Sequence, residues 1–180
     1  MLKNPEELKG LGGWLFLLGI GIVLSPIAMI GNLRELIAPI VLYINDGTWE
    51  ALTSASSEYY NPILVTLIVE EIFFNGCFTL ALVYIAYLFF SKHYLFPKYY
   101  IMVQSAFLIY MCIHLSLVYY FLDKEFFDKE TQMTVFQAFL AYCIWVTYLV
   151  KSKRVNLTFV EKRSKKPETV VTSYDRLAPA

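Results

Sequence analysis

Apolar residues gather into four long runs, over residues 14–30, 62–90, 99–122 and 133–150, and polar residues fill the stretches between them. A helix that crosses a hydrocarbon core about 30 Å thick needs about 17–25 residues. Each run falls in or slightly beyond that range, and none contains Lys or Arg. Inside lipid a backbone must satisfy its own hydrogen bonds, so such runs become helices or, in outer membranes, barrel strands. Barrel strands alternate apolar and polar positions, and these runs do not alternate. The pattern therefore predicts an all-α fold: an integral membrane up-down bundle of four transmembrane helices.

The punctuation between the runs refines this reading. The turn Gly10-Leu-Gly-Gly13 precedes Trp14, a residue suited to a membrane interface. In the first run Gly21 and Ser25 are four apart and offer a face for close helix approach. Pro26 is expected to kink that helix. Residues 36–44 are apolar, interrupted by Pro39, and about half the length of a span. Three placements are open for them: an extension of helix 1, a segment on the membrane surface, or a brief dip into it. In each they do not cross, and they are expected at the outer face. Asn45-Asp-Gly47 marks a turn, and Trp49, Tyr59 and Tyr60 suit an outer aromatic belt. Asn61-Pro62 pairs a capping residue with Pro at the first helical position. Phe96-Pro97 reads as the break between helices 2 and 3. The short connections over 91–98 and 123–131 make antiparallel neighbours. One transmembrane domain then covers 1–160. Residues 161–180 form a polar tail, expected to be disordered and cytoplasmic.

Charge sorts the loops. Segments 1–13, 91–98 and 151–180 hold 12 of the 15 Lys and Arg residues, while Arg34, Lys124 and Lys129 lie in the opposite loops. Basic residues near helix ends stay cytoplasmic, so both termini are expected there. The apolar run at 14–30 is longer than a signal-peptide core and lacks a small-residue cleavage site after it, so it reads as an uncleaved first helix. Composition agrees, with 58% hydrophobic residues against a usual 45–50%. A net charge of zero gives no reason to expect a nucleic-acid partner. Cys77, Cys112 and Cys143 match no metal or disulfide pattern and are expected to pack as small buried hydrophobes.

Candidate chemistry is concentrated in one place. Glu70 and Glu71 lie inside the second run, where a carboxylate at mid-membrane costs about 2.5–3.5 kcal/mol. Asn75 is four residues from Glu71 and shares its face. His114 is the other strongly ionisable group inside a span. Counted at 1.5 Å per residue from Pro62 and from Leu122, the carboxylates and His114 lie at about the same depth, ~12–14 Å in. Ser25 and Gln137 fall at nearby depths. A polar cluster in the outer half of the bundle follows. It would either fix helix register or serve as a proton relay or small binding pocket. One His and two Glu are too sparse to argue for a metal, and no cofactor is expected. The run Lys151-Ser-Lys-Arg154 follows the last helix. Lys151, Lys153 and Arg154 are candidates for anionic lipid headgroups, besides being an ordinary topology signal.

Two stretches carry a family resemblance, GLGGWLFLLGIGIVLSPI at 10–27 and IWVTYLVKSKRVNLTFV at 144–160. They resemble an uncharacterised bacterial membrane family, domain of unknown function 2569, whose members include YdgK-like proteins. The family's shared features match here the Gly-Gly-Trp-Leu start, Glu71 and Asn75 in helix 2, Phe96-Pro97, and a closing Ser152, Lys153, Arg154, Val155, Thr158, Phe159, Val160. The resemblance covers about residues 8–160. It implies four spans and a bacterial inner-membrane location, and supplies no activity.

The sequence holds no nucleotide loop, Ser-His-Asp set, zinc-protease motif or c-type haem motif. The leading expectation is thus a non-enzymatic accessory subunit in the lipid bilayer, bound to a larger membrane protein or to copies of itself. The alternative is a small transport or proton-handling protein that uses Glu70, Glu71, Asn75 and His114.

Overall fold

The computed structural model describes residues 10–121 and 129–159. They form helices α1 (Trp14–Asn45), α2 (Thr48–Thr53), α3 (Pro62–Phe90), α4 (Phe96–Phe121), α5 (Lys129–Lys151) and α6 (Lys153–Thr158). Four of these, α1, α3, α4 and the 131–151 part of α5, are long and apolar enough to cross a membrane. The protein is a multi-pass membrane protein with an all-α bundle fold. The tail expected over 161–180 and most of the acidic connection after α4 lie outside the described residues.

α1 settles the placement of residues 36–44. Its 32 residues run unbroken through Pro26 and Pro39 and extend about 48 Å. Tilts of transmembrane helices reach about 40°, at which this helix still projects ~37 Å along the membrane normal. The hydrocarbon core is ~30 Å, so at least one turn of α1 emerges from it. The apolar stretch extends helix 1 and makes no fifth crossing.

At Gly47 the chain turns with φ 83°. Asp46 Oδ1 accepts from the Thr48 N–H at 2.9 Å, which starts α2. α3 begins where the Asn61-Pro62 signal puts it. The Asn61 side chain accepts from the Leu64 N–H at 3.0 Å, and Pro62 occupies a position whose N–H has no helical partner anyway.

The α3–α4 turn corrects the sequence reading. Phe96-Pro97 is not a break ahead of the helix; it is the first turn of α4. Pro is tolerated there because first-turn N–H groups are unpaired in any helix. The stop itself is a Schellman motif. His93 N–H reaches Leu88 O at 2.9 Å and Lys92 N–H reaches Phe89 O at 3.0 Å. Lys92 takes the left-handed position, with φ 49°.

Around the bundle α1 packs on α3, α3 on α4 and α4 on α5. α5 meets α1 through the Trp14–Trp145 edge contact, with centroids 6.3 Å apart. The packing is uneven along the membrane normal. The main core joins Leu15, Leu18, Ile85, Phe89, Phe96 and Leu149 with Val155 and Phe159. All of these lie toward the end that carries Lys92, Lys98, Lys151, Lys153 and Arg154, here termed the basic end. A smaller cluster of Met29, Phe78 and Leu82 fills the middle. Beyond Tyr100 no residue of α4 is buried.

Loose packing is tolerable because lipid tails cover apolar side chains as well as protein does. For the same reason the cysteines depart from expectation. Cys77, Cys112 and Cys143 are free thiols on the outside of the bundle, not in its core.

The close helix approach is also at a different residue from the one expected. A Cβ at Gly19 would stand 2.9 Å from Phe89 Cε1, whereas one at Gly21 would meet nothing within 4 Å. Gly19 is the contact between α1 and α3. Gly21 and Ser25 instead border a cavity of about 150 Å³ with Leu82, Tyr100, Gln104 and Trp145.

The basic end is closed by an element the hydropathy pattern did not reveal. Ser152 caps α6 by accepting from the Val155 N–H at 3.4 Å. Val155, Thr158 and Phe159 then turn into the core. Phe159 packs on Phe96, with centroids 4.5 Å apart, and on Phe89 at 5.8 Å. The Gly10 N–H donates to Thr158 Oγ1 at 3.2 Å, and that hydroxyl can donate to Gly10 O at 3.3 Å. A clasp thus ties the segment before α1 to the segment after α5.

Candidate functional site

In the half of the bundle away from the basic end, α3 and α4 bring three ionisable groups together. Glu70 and Glu71 lie in the third turn of α3, and His114 lies two turns before the end of α4. His114 Nδ1 is 3.2 Å from Glu70 Oε2, a hydrogen bond. His114 Nε2 is 3.9 Å from Glu71 Oε2, an ion-pair separation too long for a hydrogen bond. Adjacent carboxylates about 100° apart on one helix therefore flank a single imidazole, one at each nitrogen. The imidazole side chain is 15% exposed and each carboxylate 37%. Neither acid is sealed in the bundle, and Glu71 borders an opening.

That opening is a groove of about 400 Å³ between α3, α4 and the start of α5. Glu71, Asn75, Tyr110, His114, Thr131 and Thr134 line it. Tyr110 stacks on Phe74 and on the His114 ring, the latter with centroids 5.5 Å apart. Its hydroxyl is buried and lies beside the Glu70 carboxyl. Asn75 lines the groove but bonds back to its own helix, its Nδ2 donating to Glu71 O at 2.8 Å.

The arrangement constrains its own protonation. A neutral imidazole has one N–H donor and one acceptor nitrogen. With both carboxyl groups ionised, one ring nitrogen would face a carboxylate with no proton between them. One added proton removes the conflict, whether it rests on Nε2 or on Glu71.

Depth matching alone did not decide membership. Ser25 spends its hydroxyl on Gly21 O at 2.7 Å and borders the separate 150 Å³ cavity. Gln137 is exposed on α5 and does not line the groove. Tyr110, Thr131 and Thr134 were missed. Tyr110 precedes His114 by four residues, the spacing that places two side chains on one helix face, so that signal was present. At the basic end Lys151 and Lys153 are exposed, whereas Arg154 is half-buried with its guanidinium against Gly12. Among the described residues no group of three or more His, Cys, Asp or Glu is placed to hold a metal ion.

Residues 8–160 match the family model described as protein of unknown function (DUF2569). The chain belongs to this family. The match takes in every described residue of the bundle, from the Gly10 turn to Phe159. Searches of curated proteins and of solved structures return no match.

Proposed function

We propose that this member of the DUF2569 family is a non-enzymatic protein of the bacterial inner membrane that takes up and releases protons at the Glu70–His114–Glu71 triad. One observation carries the reading: both ring nitrogens of an intramembrane histidine face carboxylates, and His114 and Glu71 border a groove of mixed polar and apolar lining. Ionisable groups at membrane depth are costly and mark ion or proton sites. Both termini are cytoplasmic in this reading, because the basic segments gather at one end. The groove then faces the outer half of the bilayer.

The test is proton movement in liposomes. Purified protein should support a pH-dependent flux that Glu71→Gln and His114→Asn abolish while helicity and monodispersity survive. A purely structural triad predicts the opposite, since Gln keeps most of the hydrogen bonds, and unchanged flux in Glu71→Gln would refute the proposal. Orientation is checked separately: in a cysteine-free background, Asp46→Cys should label from outside and Lys92→Cys should not.

A second reading, an accessory subunit for a larger membrane protein or a homo-oligomer, is favoured by one feature. Along α4 and α5 runs an apolar groove of about 680 Å³ flanked by Ile109, Ile113, Phe136 and Phe139. A stoichiometric partner retained in mild detergent would support it. The two readings are compatible, because the triad and that groove use different residues of α4.

A further inference from the structure

A second groove, of about 300 Å³ and almost wholly apolar, lies between α1 and the end of α3, away from the triad. Leu15, Phe16, Gly19, Ile20, Val23 and Phe89 form its walls, and Leu11 stands at its basic-end mouth. Gly19 opens the floor, since a side chain there would collide with Phe89. From Leu15 to Leu24 the groove follows α1 for about 14 Å. That is close to half of a ~30 Å hydrocarbon core, the depth of a single leaflet.

Next to Leu11, the guanidinium of Arg154 lies over Gly12, with Nη1 2.8 Å from the position a Cβ would occupy. Buried Val155 and the Ser152 cap fix the turn that presents it. Among the described residues no carboxylate pairs with Arg154. Lys151 and Lys153 flank it, and Lys92 follows Phe90, another wall residue, by two positions. Among the described residues the start of α1 has no side-chain cap, and of its first-turn N–H groups Phe16 donates to Gly13 O at 3.0 Å, so the N–H groups of Trp14 and Leu15 point to the same end.

An apolar slot one leaflet deep, with the Arg154 guanidinium over Gly12, the residue after its Leu11 end, is complementary to one kind of occupant. We infer that this groove binds an anionic phospholipid, its phosphate on Arg154 and one acyl chain along α1. The guanidinium fork suits phosphate oxygens. The groove accounts for the chain and Arg154 for the selection of charge. A free phosphate would use the second feature alone.

Native mass spectrometry tests this on the full-length protein in detergent. The probes are phosphatidylglycerol and phosphatidylcholine of equal chain length. Wild-type protein should retain phosphatidylglycerol in preference. Arg154→Gln should lower that preference about fivefold, the effect of one basic group near a membrane surface. Arg154→Lys should keep it within about twofold of wild type, and Lys153→Gln should do the same. Val23→Trp fills the groove from its exposed side without touching the core, and should lower retention of both lipids. Millimolar inorganic phosphate should not displace the bound lipid.

Equal retention of the two lipids by wild-type protein would overturn the inference. So would wild-type retention by Val23→Trp, displacement by phosphate alone, or equal losses in Arg154→Gln and Lys153→Gln. The Val23→Trp arm decides even if Arg154→Gln does not fold.

Discussion

Gly19 and Gly21 provide a controlled comparison inside one helix. Replacing either by Ala raises helix propensity by about 1 kcal/mol, so their difference isolates packing. At Gly21 the new methyl meets nothing within 4 Å. At Gly19 it would lie 2.9 Å from Phe89 Cε1 and 3.1 Å from Cζ. Carbon atoms pack best at about 3.5–4.0 Å, so the ring would have to retreat ~0.6 Å or more. It has little freedom to do so. Phe89 is 1% exposed and is held by Phe90, Phe96 and Phe159 at centroid distances of 5.3, 5.1 and 5.8 Å. Overpacking of this kind costs about 1–3 kcal/mol. Gly21→Ala should therefore be neutral or stabilising, and Gly19→Ala should be less stable than it by about 1–3 kcal/mol. Reversible unfolding in mixed micelles, followed by circular dichroism, gives both values. Phe89→Leu should relieve the clash, making the Gly19→Ala, Phe89→Leu double variant more stable than the sum of the singles. Equal stability of the two Ala variants, or strict additivity in the cycle, would refute the close-contact argument.

Three further outcomes follow from single contacts. Thr158→Val preserves shape but removes the hydroxyl that bonds Gly10; it should cost about 1–2 kcal/mol and speed hydrogen exchange at the Gly10 amide. Lys92→Gly should stabilise by about 0.5–1 kcal/mol in the same unfolding assay, because φ 49° is a left-handed position that glycine occupies without strain. The Thr48 N–H and hydroxyl hold the Asp46 carboxyl below its ordinary range. Its contribution should be complete above the unfolded pKa and disappear as pH falls through the lower folded value, so a carboxyl NMR titration should place its midpoint below that of an unstructured Asp.

The long helices were legible because in lipid the length of an apolar run is itself the signal. α3 shows this best, since Asn61-Pro62 starts it and the observed limits are those of the run. α6 was not legible. Six residues of mixed polarity carry no period, and what folds Val155 and Phe159 inward is supplied by Leu15, Phe89 and Phe96, far away in sequence. At the site, counting residues from the helix ends placed Glu70, Glu71 and His114 at one level. Counting cannot fix rotation about the helix axis, and rotation is what excluded Ser25 and Gln137. The cysteine expectation failed for a related reason: in a membrane an apolar side chain gains no more by facing the core than by facing lipid.

The clasp at the basic end also bears on how the protein is made. Gly10 and Thr158 are 148 positions apart, so their pairing closes nearly the whole bundle into a loop. During synthesis Leu15 and Leu18 emerge early, but their partners on α6 cannot reach them until residue 159 has left the ribosome. The first helix must wait in the bilayer, correctly placed and incompletely packed, for the last buried turn. Contacts between distant segments form late in this way. Release of a chain cut short inside α5 would leave the aromatic core of the basic end unfinished, which gives cellular quality control a simple feature to recognise.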